Sequence, residues 1–224
     1  MRILITGATG LVGQGVLREC LHAADVTAIT ALGRRPTGIA DARLEELLCT
    51  DFSNLEAVRV RLAPYDACFY CAGAPPLGTP AAAYRHVTLT LTRHVAEVFA
   101  QRNPDGKFIY ISGAYADPQS RIAMLRVKGE TEEALAALPL TTVMLRPGGI
   151  QPVDGVRSPH RALDLFYRVG GPFMGLALNL LPGQMTTTAH VGRAMLALAR
   201  EHAPPSVVEN QTINRLGRQS AHGR

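Results

Sequence analysis

Residues 2–19 read RILITGATGLVGQGVLRE, and this stretch decides the fold of the chain. The apolar run Ile3 to Ile5 has strand length, and the apolar residues after the glycines recur at helical spacing, which predicts a strand, a turn and a helix. Gly7, Gly10 and Gly13 are expected to make the tight turn, to admit a ligand close to the backbone and to let the helix pack on the strand. Free N–H groups and the positive end of the helix dipole meet at this turn, which predicts a dinucleotide site.

The chain has the size and composition of one folded domain. Its 224 residues are 47% hydrophobic and 18% charged, which is enough apolar material for a sizeable core. We predict one domain over residues 1–217, with a substrate-side lobe at about 147–205 and a flexible tail over 218–224. The longest apolar stretch, Phe173 to Leu181, is shorter than the ~20 residues that span a bilayer. No leader pattern precedes the first strand, so we expect no membrane partner and a cytoplasmic location.

Charge, cysteine and histidine patterns argue against several classes of function. The net charge of +5 comes from scattered basic residues, which do not form the stripe that nucleic-acid binding requires. The four cysteines fit a reducing compartment. Cys68 and Cys71 lie in a β-like run, where an offset of three residues places side chains on opposite faces and disfavours a redox pair. The seven histidines show no metal-ligand spacing, so we predict no metal site.

Strand-like and helical segments alternate along most of the chain. The further strand-like runs are Val26–Leu32, Glu46–Thr50, Ala67–Ala72, Lys107–Ile111 and Thr141–Leu145. Helical patterns cover Leu55–Leu62, Pro80–Arg102, Ser120–Leu138 and a segment from Thr187 or Thr188 to Arg200. This rhythm predicts an α/β fold, a doubly wound parallel sheet of the Rossmann type, with ligands at the carboxyl ends of the strands.

The rhythm breaks after Pro152, where glycines and prolines become frequent. We expect a helix over Arg161–Val169 and the apolar segment Phe173–Leu181 to form the small C-terminal lobe that covers the substrate side. Val207–Ile213 is predicted to be a last strand.

Two arginines follow the second predicted strand at the place where this type of fold meets the adenosine ribose. An acidic residue there binds the 2′-hydroxyl of NAD, but the chain has Arg34 and Arg35 and no acid. Guanidinium groups bind a 2′-phosphate through charge-assisted hydrogen bonds, which favours NADP(H) over NAD(H). The alternative is a solvated basic loop.

Small or polar residues follow the third and fourth predicted strands. Asp51 is a candidate acceptor for the adenine amino group with Phe52 beside the ring, while Ser53 or Asn54 is also a candidate N-cap for the next helix. Small residues at the end of the fourth strand allow the backbone to pass close to a ribose, although a plain exit from a strand has the same composition. These small residues are Cys71, Ala72 and Gly73.

Taken in order, these motifs resemble the short-chain dehydrogenase/reductase superfamily, in particular its atypical and extended NAD(P)H-binding members of the epimerase/dehydratase type. The resemblance covers residues 1–150 and is carried by Thr6–Gly13, Asp51-Phe52, Cys71–Gly73, Ile111–Ala114, Val127–Glu130 and Leu145–Gly148. It is weaker over Thr186–Ala194. Together with the arginines, it implies a cofactor site made of Gly7, Thr9, Gly10, Leu11, Val12, Gly13, Arg34, Arg35, Asp51, Phe52, Cys71, Ala72, Gly73, Lys128, Pro147, Gly148 and Ile150.

The resemblance also implies a catalytic serine, a tyrosine that passes the proton, and a lysine four residues after that tyrosine. The lysine holds the nicotinamide ribose and lowers the pKa of the tyrosine. Ser112 and Lys128 match their positions, but Met124 stands where the tyrosine is expected and has no proton to give. Tyr115 is the candidate substitute, although a packing or substrate contact is the other interpretation of this residue. Tyr84, Tyr110 and Tyr167 have weaker positional claims.

Two functions of different classes follow from these residues. The first is an NADP(H)-dependent oxidoreductase or epimerase-like enzyme acting on a small carbonyl or alcohol, in which Ser112 orients the oxygen, Lys128 holds the cofactor, and Tyr115 or a water supplies the proton. The second is an NADP(H)-binding regulatory or sensor protein without turnover, which Met124 favours. The helix Pro80–Arg102 and the helix after it offer a face either for a second copy, which gives a homodimer, or for the sheet, and the sequence leaves both open.

Overall fold

A computed structural model describes residues 1–75, 78–153, 156 and 183–219. The elements in chain order are β1 (Arg2–Thr6), α1 (Leu11–His22), β2 (Ala28–Gly33), β3 (Leu44–Leu48), a 3₁₀ turn (Arg59–Arg61), β4 (Ala67–Tyr70), α2 (Ala81–Arg85), a π-helical segment (His86–Leu91), α3 (Thr92–Arg102), β5 (Lys107–Ile111), α4 (Ala123–Ala136), β6 (Thr141–Arg146), β7 (Gly149–Gln151), β8 (Met185–Thr187), α5 (Thr188–Arg200), β9 (Val207–Glu209) and α6 (Asn210–Gln219). The predicted helix Arg161–Val169, which contains Tyr167, and the apolar segment Phe173–Leu181 lie outside the described residues.

Seven parallel strands form the main sheet in the order β3-β2-β1-β4-β5-β6-β9. This confirms the predicted doubly wound α/β fold, and the first six strands lie within two residues of their predicted bounds. The central strand β1 pairs on both sides, so that Ile5 lies opposite Ala31 of β2 and Phe69 of β4. The strand order reverses between β1 and β4, which is where folds of this kind open a crevice beyond the carboxyl ends of the strands.

Two hydrophobic clusters cover the two faces of the sheet, because successive strand residues point to opposite sides. Ile3 and Ile5 pack in the cluster that contains α1 and α5, while Leu4 packs in the cluster that contains α3 and α4. Cys68 belongs to the second cluster and Cys71 packs against the first, as their offset of three residues predicts. Both thiols are free, so they form no disulfide.

Two predicted elements differ from the structure. The predicted helix Leu55–Leu62 contains only the single 3₁₀ turn, although the apolar residues Leu55, Val58 and Leu62 are buried. The predicted strand Val207–Ile213 ends at Glu209, and α6 then continues into the first two residues of the predicted tail. Residues 220–224 lie outside the described part of the chain.

The start of α6 is set by tertiary hydrogen bonds. The side-chain oxygen of Asn210 accepts from the Gly148 N–H at 2.9 Å, and its amide donates to the Met185 carbonyl at 2.9 Å. One helical turn later, the Asn214 amide donates to the same carbonyl at 2.8 Å. Helix α6 therefore holds the small parallel sheet formed by β7 and β8 against the main sheet.

The predicted long helix Pro80–Arg102 is interrupted by the π-helical segment. Thr131 of α4 donates a hydrogen bond to the Thr88 carbonyl at 3.2 Å, which ties this segment to its neighbouring helix. Widened turns of this kind are frequent at functional sites. This one places Val87 and Leu91 at the crevice described below.

Helix α1 packs closely on α5 through small residues and one buried ion pair. A Cβ on Gly15 would lie 2.5 Å from the Thr188 side chain, and a Cβ on Gly192 would lie 2.9 Å from Glu19. The Arg193 guanidinium donates to the buried Glu19 carboxylate at 3.0 Å. Within the described ranges, no helix has the length and apolarity needed to cross a membrane.

Candidate active site

The turn between β1 and α1 is built from backbone that no other residue type fits. Gly7 has a φ of +68°, and a Cβ on it would lie 2.6 Å from the Ala72 nitrogen. A Cβ on Gly13 would lie 2.0 Å from the Gly7 carbonyl oxygen. Gly10 is the N-cap of α1 and offers no side chain to the first N–H groups of the helix, which leaves them available to an anion.

A cleft of about 660 Å³ opens beside this turn, at the carboxyl ends of the strands. Thirteen of the predicted cofactor-binding residues line it, namely Gly7, Thr9, Gly10, Leu11, Val12, Arg34, Arg35, Asp51, Phe52, Cys71, Ala72, Gly73 and Lys128. The sequence reasoning missed further lining residues, among them Thr37, Thr50, Tyr70, Val87, Leu91 and Ile111. Val87 and Leu91 carry the apolar helical pattern of ordinary core residues, so only the π-helical segment sets them apart.

Arg34 and Arg35 lie on the exposed rim of the cleft. Among the residues that the structure describes, neither guanidinium has a hydrogen-bond or ion-pair partner. Their loop is held by the Glu46 carboxylate, which accepts hydrogen bonds from the Thr37 N–H at 2.8 Å and from its hydroxyl at 2.5 Å. A second depression continues past Arg35 and is also lined by Arg18, so positive charge is concentrated at this corner.

Asp51 lines the cleft and also closes a local turn. Its Oδ1 accepts hydrogen bonds from the Ser53 hydroxyl at 2.6 Å and from the Ser53 N–H at 2.8 Å. These bonds hold the pKa of the Asp51 carboxyl below its usual value, so the group is ionised at neutral pH. The predicted N-caps behave differently, because Ser53 donates to Asp51 and the Asn54 side chain accepts from the Glu56 N–H at 3.2 Å without starting an α-helix.

Lys128 brings the only lysine ammonium among the described lining residues into the cleft. Its Nζ donates to the Tyr110 hydroxyl and to the Ile111 carbonyl, both at 2.9 Å, and lies 4.7 Å from the centre of the Tyr110 ring. Desolvation lowers the pKa of Lys128 to about 8, and the Glu132 carboxylate one turn further along α4 opposes this shift. Lys128 and Tyr110 are 18 residues apart in sequence and lie on different elements, so no local pattern signals their contact.

The other two predicted catalytic residues do not line the described part of the cleft. Ser112 directly follows Ile111, which does line it, and the Ser112 hydroxyl is buried without a hydrogen-bond partner among the described residues. Tyr115 is 67% exposed with a φ of +63°, and its hydroxyl shares a hydrogen bond with the Gln184 side chain at 3.3 Å. Met124, 37% exposed, lies in the first turn of α4, where the tyrosine was expected.

Four predicted cofactor-binding residues also fall outside the described lining. Gly13 packs under the turn, as described above. The Pro147 carbonyl accepts from the Ala114 N–H at 2.9 Å, the Gly148 N–H binds Asn210, and Ile150 pairs with Thr186 in the small sheet. These three residues set the course of the backbone after β6. Their direct contact with a cofactor stays a prediction.

The donor set of this cleft fits a dinucleotide. The glycine turn leaves room that a Cβ would fill, the helix end supplies N–H groups, and the buried Ser112 hydroxyl has an unused hydrogen-bonding capacity. By contrast, no group of three metal-ligating side chains occurs among the described residues. The arrangement of the described residues is that of a nucleotide site.

Comparison with known proteins decides the family. The model of the NAD dependent epimerase/dehydratase family matches residues 3–138, which is more than half of the chain. This chain belongs to the NAD dependent epimerase/dehydratase family. Membership confirms the resemblance to extended short-chain dehydrogenases/reductases and supports a nicotinamide nucleotide as cofactor. The choice between NAD and NADP is finer than the family assignment.

The chain is also similar to curated fungal proteins and shares its fold with solved structures. The chain is similar to the mitochondrial protein fmp52 of Emericella nidulans, with 31% identity over 175 residues that cover 74% of this chain and 73% of the relative. It is 28% identical to the mitochondrial protein fmp52-1 of Aspergillus oryzae, covering 76% of this chain and 74% of the relative. The structure of UDP-glucuronic acid 4-epimerase from Bacillus cereus in complex with NAD has the same fold, with a TM-score of 0.66 and 15% identity over 93% of this family member and 76% of the epimerase.

These names correct one prediction. The sequence patterns led to the expectation of a cytoplasmic location, but both fungal relatives are named as mitochondrial proteins. That prediction is wrong on this finding. The pattern failed because the absence of a recognisable leader is weak ground for assigning a compartment.

Proposed function

We propose that this family member is an NADP(H)-dependent oxidoreductase that acts on a small carbonyl or alcohol. The observation that carries the proposal is a single cleft that is lined both by the glycine turn and by the Lys128 ammonium. Ile111 also lines this cleft, and the unpartnered hydroxyl of Ser112 follows it directly. A buried hydroxyl without a partner is costly to keep, which is the expected condition of a group that meets its partner in a substrate.

Different residues would hold the different parts of the cofactor. Backbone N–H groups at Gly10 to Val12 would bind the pyrophosphate, and Phe52 would pack beside the adenine with the Asp51 carboxylate accepting from its amino group. Lys128 would hold the nicotinamide ribose. When bound, NADPH supplies a hydride for the reduction of a carbonyl. Ser112 would donate its hydrogen bond to the substrate oxygen and orient it.

The choice of NADP(H) rests on the rim of the cleft. Arg34 and Arg35 have no partner in the described structure, and Arg18 adds a third positive charge nearby. Charge-assisted hydrogen bonds from guanidinium to a 2′-phosphate are each worth about 1.5–3 kcal/mol. A loop whose arginines serve only solubility would make no such distinction between the two cofactors.

Calorimetric titration with NADPH and, separately, NADH tests the proposal. We expect the parent protein to prefer NADPH, and the Arg34→Ala/Arg35→Ala variant to bind NADPH about 100-fold more weakly while its NADH affinity changes little. The control is Arg102→Ala, an exposed arginine at the end of α3 that does not line the cleft. Equal affinity of the parent for both nucleotides would refute the NADP(H) choice, and no binding of either would refute the cofactor site.

A second candidate is an NADP(H)-binding regulatory or sensor protein without turnover. Met124 favours it, because the expected proton donor is missing from α4, and so does the position of Tyr115 outside the described lining. Reduction of aldehydes or ketones by the parent protein with saturating NADPH would eliminate this candidate. Under the first proposal the partner is a small-molecule substrate, with no nucleic acid and no membrane involved. A homodimer stays a prediction for sedimentation analysis.

A further inference from the structure

We propose that Lys128 is the proton donor of the reaction, and that its ammonium group protonates the oxygen of a carbonyl substrate directly. The inference rests on the proposed oxidoreductase function. It assigns to the lysine a second role, beyond holding a ribose, in the place where the family resemblance expects a tyrosine.

Few side chains in the cleft can exchange a proton near neutral pH. Six titratable side chains line its described part, namely Arg34, Arg35, Asp51, Tyr70, Cys71 and Lys128. The arginines do not give up a proton in proteins, and Asp51 is already ionised. Burial raises the pKa of the Tyr70 hydroxyl and of the Cys71 thiol far above neutrality. Lys128 is therefore the lining group that can both release and regain a proton near neutral pH.

The ammonium group of Lys128 has one N–H donor left for a substrate. An ammonium has three N–H donors, and Lys128 directs two of them to the Tyr110 hydroxyl and the Ile111 carbonyl. The third has no partner among the described residues. Because Lys128 lines the cleft, this donor is available to a substrate oxygen there.

The tyrosines near α4 do not offer an alternative. The Tyr110 hydroxyl is buried and accepts the Lys128 hydrogen bond, and burial raises its pKa well above the usual value. The Tyr115 hydroxyl binds Gln184 outside the described lining. Met124 carries no ionisable group.

The surroundings of Lys128 explain why its proton is labile. Desolvation lowers its pKa to about 8, and only the Glu132 carboxylate acts in the opposite direction. Glu132 also accepts a hydrogen bond from the Arg146 guanidinium at 3.0 Å, so it is shared between two cations. Among the described residues, the titratable and charged groups that interact with Lys128 or with its neighbours Tyr110 and Glu132 are Tyr70 on β4, Tyr84 on α2 and Arg146 on β6. Arg126, Glu130 and Glu133 lie on α4 itself, and Glu130 pairs with Arg85 of α2.

In this step the carbonyl gains a hydride at carbon and a proton at oxygen. In reduction, a bound NADPH would supply the hydride for the new C–H bond at the carbonyl carbon, and the electron pair of the C=O π bond would move to the oxygen. That oxygen takes a proton from the Lys128 Nζ, an O–H bond forms, and lysine is left as a neutral amine that regains a proton from water. In the oxidation of an alcohol the neutral amine accepts the hydroxyl proton instead.

The pH dependence of the two directions should therefore be opposite. The ammonium form is needed for reduction, so the kcat of reduction is expected to be constant below pH 8 and to fall about tenfold per pH unit above it. The amine form is needed for oxidation, so the kcat of oxidation should rise with pH and level off above pH 8. In Lys128→Arg the charge is kept but the proton is not released, so kcat at saturating NADPH should fall about 100-fold and both pH breaks should disappear.

A measurement on the nucleotide-free protein is independent of activity. The chain contains only two lysines, Lys107 and Lys128, so ¹³C-lysine labelling gives two Cε resonances, and Lys107→Arg assigns them. The Lys128 resonance is expected to titrate with a midpoint near pH 8. A midpoint near the ordinary value of ~10.4 overturns the inference, as does a Lys128→Arg variant that keeps the rate and pH breaks of the parent. Failure of the parent to bind NADPH, by contrast, overturns the proposed function and this inference with it.

Discussion

The phosphate side of the cleft is made by backbone, whereas the substrate side depends on side chains. On the phosphate side, the shape is made by backbone at Gly7, Gly10 and Gly13, and side chains contribute little. On the substrate side, the chemistry depends on what Ser112 and Lys128 carry on their side chains. A backbone site admits almost no substitution, whereas a side-chain site changes its chemistry with a single exchange. The difference explains how a chain can keep the nucleotide turn of its family and still have a methionine where a tyrosine is expected.

The largest effect should come from a methyl group placed in the glycine turn. Gly13→Ala puts a Cβ 2.0 Å from the Gly7 carbonyl oxygen, and we expect a loss of about 3 kcal/mol in the free energy of unfolding by urea denaturation. Gly113→Ala, directly after Ser112, is the matched control, because a Cβ there meets nothing within 4 Å. Its free energy of unfolding should stay within about 1 kcal/mol of the parent value. Equal losses in both variants would remove the distinction between the two sides.

Ser112→Ala should separate chemistry from stability. The hydroxyl has no partner in the described structure, so its removal should leave the free energy of unfolding within about 1 kcal/mol of the parent. The kcat of carbonyl reduction should nevertheless fall about 100-fold, because a hydrogen bond to the developing negative charge is lost. A variant that is destabilised and fully active would show that Ser112 has a structural role instead.

Met124→Tyr should have a smaller effect in the opposite direction. A tyrosine in the first turn of α4 lies one helical turn before Lys128, so it supplies a second proton donor close to the ammonium, and we expect kcat for reduction to rise about tenfold. Met124→Phe is the control, since it has the same ring without the hydroxyl. A similar gain in both variants would mean that packing, not proton transfer, is improved.

The smallest effect should come from the side chain that is expected to lie beside the adenine. Phe52→Leu keeps an apolar residue on the cleft but loses the flat ring beside the adenine. We expect calorimetry to show about a threefold loss of affinity that is equal for NADPH and NADH, because both contain adenine. A loss confined to NADPH would place Phe52 at the 2′-phosphate instead.

The periodic parts of the sequence were sufficient to predict the main sheet. The apolar run Lys107–Ile111 is a strand with those bounds. Of the two threonines at which the next-to-last helix was expected to begin, Thr187 is the cap of α5, since its hydroxyl accepts from the His190 N–H. The glycine turn was predicted equally well, because the positive φ of Gly7 and the close approach of Gly13 to the Gly7 carbonyl arise within the turn itself. These features share one property: their cause lies within a few residues along the chain.

The features that were not predicted depend on distant residues. Asn210 starts α6 because its side chain binds backbone near Gly148 and Met185, and nothing around Asn210 itself signals those partners. The Tyr110 hydroxyl likewise meets Lys128 only after β5 and α4 are packed. For the same reason, the hydrogen bond between the Tyr115 hydroxyl and Gln184, which lie 69 residues apart, was not predicted.

The ion pair between Glu19 and Arg193 links helices that are 174 residues apart in the chain. During synthesis at roughly 5–20 residues per second, α1 therefore waits on the order of 10–30 s before α5 emerges to cover it. Until then the apolar face of α1, with Val16, Leu17 and Cys20, has no partner from the C-terminal half. The helix that opens the nucleotide site is thus made early but acquires its packing partner only after most of the chain has been made.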